Sequence, residues 1–182
     1  IGLLAYYNAR NRSDVLDKSM LPQNDPLSGL NPTPSMKATL KFYWVVVGLI
    51  LVQILFGVVT AHYGVEGQGF YGLSLDNILP YSVSRTWHVQ LALFWIATSW
   101  LAAGLYIAPA VSGYEPKYQR LGVNVLFFAL LVIVAGSIAG EWMGVMQKLG
   151  LVQNFWFGHQ GYEYVDLGRF WQIFLFTGFI IW

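Results

Sequence analysis

Cysteine is absent from the 182 residues, which excludes disulfides, thiolate metal sites and cysteine nucleophiles. A metal would have to be held by histidine, carboxylate or backbone oxygen. Charge is scarce as well: Asp, Glu, Lys and Arg make up 10% of the chain, against 56% hydrophobic residues. A soluble domain carries about a quarter charged residues, so little of this surface faces water. The net charge of +1 leaves no basic footprint for nucleic acid. No internal repeat is visible, and residues 1–12 are not expected to be a secretory signal. The apolar residues 1–7 run straight into Asn8, Arg10 and Arg12 without a small-residue cleavage site.

What is abundant is aromatic: Trp 8, Tyr 11 and Phe 12, as expected where rings anchor helices at a lipid boundary. Three apolar runs, 42–61, 87–108 and 121–140, are each long enough for a membrane-spanning helix, which needs about 20 residues. Residues 170–182 form a fourth apolar run that is too short to cross. The predicted architecture is an all-α, multi-pass transmembrane bundle. Residues 1–9 read as the end of a preceding spanning helix and 10–41, with Pro22, Pro26, Pro32 and Pro34, as a linker. Residues 42–182 form the helical domain, with loops at 63–84 and 148–169 and a truncated last helix. The chain is expected to continue in both directions.

Basic residues set the orientation. Arg10, Arg12, Lys18, Lys37, Lys41, Lys117 and Arg120 flank one side of the runs, and Arg85, Lys148 and Arg169 the other. Seven against three puts the linker and the 110–120 connection in the cytoplasm, with 63–84 and 148–169 facing outward. His62, Glu66, Phe70, Arg85, His88, His159 and Glu163 then gather at the outer face, and they include every histidine in the chain.

His88 is expected in the first turn of a spanning helix, where low dielectric keeps an imidazole neutral and able to ligate heme iron. Ala92, Trp95, Ser99 and Ala102 continue its stripe and are mostly compact enough for a flat macrocycle. Arg85 is placed to pair with propionates. The same spacing also fits an interfacial histidine and a snorkelling arginine. His62 and Glu66, at i and i+4, share a helical face and could take protons from one ligand. Phe70 would add a stacking ring a turn further along if the helix persists. That set suits quinol oxidation; it also suits a polar helix exit. Glu163 could bind a hard cation such as calcium, Asp166 is expected to cap the final helix, and Glu141 reads as either a proton-handling group or a boundary residue, with boundary favoured.

Three strings carry a resemblance: Ser84-Arg85-Thr86-Trp87-His88-Val89-Gln90-Leu91, Phe94-Trp95-Ile96-Ala97-Thr98-Ser99-Trp100, and Gly158-His159-Gln160-Gly161-Tyr162-Glu163-Tyr164-Val165-Asp166-Leu167-Gly168-Arg169. Over about residues 40–182 the chain resembles quinol-dependent nitric oxide reductase, a bacterial member of the heme-copper oxidase superfamily. The resemblance implies that His88 is an axial ligand of low-spin heme b. It also implies that Arg85 steadies the propionates, that Glu163 helps bind calcium, and that His62, Glu66 and Phe70 contact quinol. It further implies a high-spin heme b and a non-heme iron, held by helices beyond Trp182, where nitric oxide becomes nitrous oxide in denitrification. The implied setting is the bacterial cytoplasmic (inner) membrane. The implied partners are quinol, membrane lipid, the remaining helices and a fused soluble domain, and a homodimer stays open. An oxygen-reducing heme-copper oxidase subunit and a cofactor-free transporter or structural subunit are the competing expectations.

Overall fold

The computed structural model describes residues 29–70, 72–161 and 166–182. The chain divides into two compact units, Ile1–Asn31 and Pro32–Trp182. Of the first unit only residues 29–31 are described, so the helix end expected at 1–9 and most of the linker lie outside the described residues.

The second unit is helical. Helix α1, Pro34–Glu66, is 33 residues long. Thr33 starts it, its Oγ1 accepting from the Met36 N–H at 3.3 Å, with Pro34 just inside. Proline is favoured there because its missing N–H is one of the unpaired helix-start donors. The linker read from the sequence extends to Lys41, yet residues 34–41 are helix. Lys41 is accommodated because its Nζ donates to Asn124 Oδ1 at 2.5 Å and sits 4.3 Å from the Phe127 ring centre. At the other end Gly67, at φ +68, turns the chain out and donates to the Tyr63 carbonyl.

A short hairpin follows, β1 (Gly69–Phe70) against β2 (Leu73–Ser74), antiparallel, with Phe70 opposite Leu73. Phe70 is therefore not a further turn of α1, because Gly67, at positive φ, ends the helix first. A 3-10 turn, Leu75–Asn77, leads to α2, Tyr81–Ser112. This helix begins six residues before Trp87, so His88 lies about two turns in and not in the first turn. The polar start is helical because Ser84 bonds α1, its Oγ lying 2.9 Å from Thr60 Oγ1 and 3.3 Å from the Phe56 carbonyl. Pro109 does not end α2; the helix continues to Ser112 and stops at Gly113, at φ +65.

Helix α3, Gln119–Val145, returns across the bundle, and the short α4, Leu151–Phe157, precedes α5, Arg169–Ile181. Three of these helices, α1, α2 and α3, are long and apolar enough to cross a membrane. The most extensive packing is between α1 and α2. One buried cluster joins Leu49, Leu91, Phe94, Ile133, Leu167 and Trp171; a second joins Phe42, Ala102, Leu105, Val123 and Leu130.

Glycine decides how the 148–169 loop docks. Gly136, Gly140 and Gly144 repeat every fourth residue along α3. A Cβ at Gly136 would stand 2.0 Å from the Trp171 ring, one at Gly140 1.7 Å from the Phe157 carbonyl oxygen, and one at Gly144 2.3 Å from Asn154 Oδ1. Apolar surface gives helices little drive to associate in lipid, so small residues that admit close backbone approach carry the packing. Gly140→Ala should therefore destabilise the protein by roughly 1–3 kcal/mol, read as a lower midpoint of thermal unfolding in detergent. Gly122→Ala, with nothing within 4 Å, should not lower the midpoint, because alanine is the better helix former. Equal midpoints for the two variants would mean that the close approach does not hold the loop.

Candidate functional site

His88 is half-buried on α2, and its ring lies against the α1 backbone. Nδ1 is 2.9 Å from the Gln53 carbonyl oxygen. A carbonyl can only accept, so the proton is on Nδ1 and the lone pair of the neutral ring is on Nε2. Gly57 makes this approach feasible: a Cβ there would stand 2.9 Å from His88 Cε1 and 3.1 Å from Nδ1. The Gln53 side chain is itself held, its Oε1 accepting from Trp95 Nε1–H at 2.7 Å. An imidazole whose Nδ1 is committed to a backbone carbonyl presents a fixed, basic Nε2, the usual arrangement of a metal-ligating histidine. Nε2 has no hydrogen bond among the described residues. The donor set thus fits one axial position of a heme.

The stripe below His88 is less open than the sequence suggests. Trp95 bonds α1 through Gln53, and Ala102 is fully buried in the cluster that includes Phe42. That face packs against protein, because α1 and α2 pair along much of their length. Arg85 lies one turn nearer the helix start than His88 and is half-buried.

His62 and Glu66 come together in the last turns of α1. Nδ1 of His62 lies 3.0 Å from Glu66 Oε1, and the two side chains are 26% and 28% exposed. Both lie on the helix that backs His88. At 1.5 Å per residue, His62 is about 8 Å and Glu66 about 14 Å along the axis from Gly57. The Phe70 side chain and Glu163 lie outside the described residues.

The second loop is organised by Asp166, which is 4% exposed. Its carboxylate accepts from the Gln160 N–H and, at 3.1 Å, from the Gly161 N–H, and Oδ2 is 3.5 Å from His159 Nδ1. Asp166 does not cap the final helix; Gly168 occupies that position without a side-chain cap. The acid turns inward because Gln160 and Gly161 have backbone donors that no strand or helix satisfies. Gln90 on α2 secures the same segment by donating to the Asp166 carbonyl at 2.8 Å. His159, for which spacing offers no partner, thus finds one in Asp166, and Asn154 Oδ1 accepts from its backbone N–H at 3.1 Å. Glu141 is not a water-facing boundary residue: it is 1% exposed, and its Oε2 has no hydrogen-bond partner among the described residues.

Gln53 and Gly57 are the functional neighbours that the sequence reading passes over. The available signal was the one side-chain amide of the apolar run and a glycine four residues later, hence on one helical face. Among the described residues no three His, Asp or Glu side chains converge as a metal cage.

Three membrane-length helices define a multi-pass, all-α membrane protein, and a histidine with a fixed tautomer on the second of them lies against the first. The family model described as Cytochrome C and Quinol oxidase polypeptide I matches residues 37–182, and the chain belongs to that family, the subunit I family of the heme-copper oxidases. Members are membrane oxidoreductases that bind heme, which sets aside a cofactor-free transporter. No curated protein matches the chain.

Hydrogen bonds to a charged acceptor are worth about 1.5–3 kcal/mol each, so Asp166 dominates its loop. Asp166→Ala should raise amide hydrogen exchange at Gln160 and Gly161 by at least tenfold, followed by mass spectrometry. Unchanged exchange at both amides would show that something other than the carboxylate restrains them.

Proposed function

We propose that this chain forms the electron-receiving part of a quinol-oxidising nitric oxide reductase in a bacterial cytoplasmic membrane. The observation that carries the reading is the His88–Gln53 hydrogen bond over Gly57, which leaves Nε2 directed to act as a ligand. His88 would hold one axial position of low-spin heme b, with Arg85 toward the propionates. Iron bound there would take up and release single electrons.

The chain's own residues handle protons and position. A quinol gives up two protons with its two electrons, so its site needs two acceptors. His62 and Glu66, already hydrogen-bonded at 3.0 Å, form such a pair at the partly exposed end of α1. A carboxylate that accepts one proton and an imidazole that accepts the other would draw the quinol hydroxyls toward α1. Phe70 would then stack on the ring. Because the same helix carries Gly57, the quinol would lie close to the His88 ring, and electron and proton would part there. Glu163 would help bind calcium, as the resemblance implies. Joining of two nitric oxide molecules, with two electrons and two protons, into nitrous oxide and water would occur at a high-spin heme b and a non-heme iron held by further helices.

A second reading has support in the family's description, which names oxidases: an oxygen-reducing subunit I with the same electron-receiving helices. Offering each gas to the quinol-reduced full-length enzyme separates the two. Nitrous oxide formation supports nitric oxide reduction, whereas oxygen uptake alone replaces it with the oxidase.

His88→Ala should abolish the absorption bands of six-coordinate heme b, and Gly57→Val, which puts side chain where the imidazole packs, should weaken them. Full bands in His88→Ala would remove this residue as ligand. Glu66→Ala should slow quinol-driven turnover by about a hundredfold, the usual scale for a lost acid–base group, while dithionite still reduces the heme. Equal loss with both donors would end the quinol assignment.

A further inference from the structure

A recess of about 500 Å³ lies between the start of α1 and the start of α3, lined by Pro34, Lys37, Ala38, Lys41, Arg120 and Asn124. The α1 residues are spaced i, i+3, i+4 and i+7 and those of α3 i and i+4, so each helix gives one face. Three of the six are cations and none is an acid. No ion pair to Lys37, Lys41 or Arg120 occurs among the described residues. Glu115 is not a lining residue; its Oε1 accepts from the Ser35 N–H at 3.2 Å. Lys41 is oriented by Asn124 and the Phe127 ring, while Lys37 and Arg120 are exposed.

The depth of the recess identifies its environment. The apolar run of α1 begins immediately after Lys41 and that of α3 immediately after Arg120, so the cations stand at the level of lipid headgroups. Along the same faces the lining gives way to exposed apolar rings: Trp44, 76% exposed, follows Lys41 by three residues, and Phe128, 64% exposed, follows Asn124 by four. A ligand that satisfies the whole feature is anionic at one end and apolar at the other. Cationic recesses between spanning helices are suited to anionic headgroups.

We infer that this recess is a binding site for the phosphate of an anionic phospholipid, with acyl chains running past Trp44 and Phe128. Lys37 and Arg120 meet the phosphate from opposite helices, and Lys41, fixed by Asn124, sets its depth. The bound lipid ties the start of α1 to that of α3.

Native mass spectrometry of the full-length protein tests this with phosphatidylglycerol and phosphatidylcholine of identical acyl chains. The protein should retain phosphatidylglycerol about tenfold more tightly, and Lys37→Gln with Arg120→Gln should erase that preference. Both side chains are exposed, so the substituted protein should fold, and Lys37→Arg should keep the preference. A phosphatidylglycerol carrying a photoreactive headgroup should label peptides covering residues 34–44 and 119–128. Equal retention of the two lipids, or labelling confined to other peptides, would overturn the site. Inorganic phosphate in excess that displaces the lipid completely and binds equally well without it would make this a soluble-anion site and overturn the lipid assignment.

Discussion

The hydrogen bond from His88 Nδ1 to the Gln53 carbonyl fixes the tautomer and the orientation of this imidazole. It contributes only about 1 kcal/mol to stability, yet it decides which ring nitrogen carries the proton. Everything needed for it is backbone geometry: a carbonyl on α1, and a glycine four residues later that lets the α2 imidazole lie against the helix. Because α1 and α2 form the most extensive helix pair, the orientation of the ring is set by the core of the bundle. The C-terminal end of the same α1 carries His62 and Glu66, so one helix backs the imidazole and presents the hydrogen-bonded pair.

Satisfying polar groups inside an apolar bundle is the second theme. Tryptophan N–H groups do much of this work. Trp87 donates to the Ile138 carbonyl at 3.2 Å, Trp142 to that of Ile78 at 2.7 Å and Trp171 to that of Phe157 at 2.9 Å. Each indole buries a large apolar body while its one donor pins a separate element. Unpaired backbone groups are expensive away from water; the Trp87 bond ties two helices together, and those of Trp142 and Trp171 let the connecting segments at Ile78 and Phe157 pack on helices. Asp166 does the same for Gln160 and Gly161, and the glycine repeat of α3 gives that loop room to dock. The opposite end of the bundle is built differently, with cations beside exposed rings and a recess open between two helices.

Much of this was legible in the chain itself. Apolar runs of membrane length identify α1, α2 and α3, since hydrophobic length is a local property. Thr33-Pro34 marks the α1 start by local capping chemistry, although Lys37 and Lys41 drew the sequence reading toward a linker. The tolerance of Lys41 depends on Asn124 and Phe127, more than eighty positions away. Glu66 falls on the His62 face as spacing requires. Phe70 leaves the helix because Gly67 takes a positive φ, which a glycine permits but does not dictate. Asp166 has the sequence position of a helix cap and is used instead by an upstream backbone, and Glu141, at a helix exit, is covered by neighbouring protein. Neither outcome follows from its own neighbours in sequence.

Sequence alone determined the helical class, the membrane-length spans and the i, i+4 histidine–glutamate pair, because each depends on composition or on helical periodicity. Tertiary structure alone decided that Gln53 and Gly57 back His88, that His159 meets Asp166, and that Lys37, Lys41 and Arg120 share one recess. Those pairings join separate helices or opposite ends of a loop. Which turns of two helices lie opposite each other is fixed by side-chain volume and close backbone approach across the bundle.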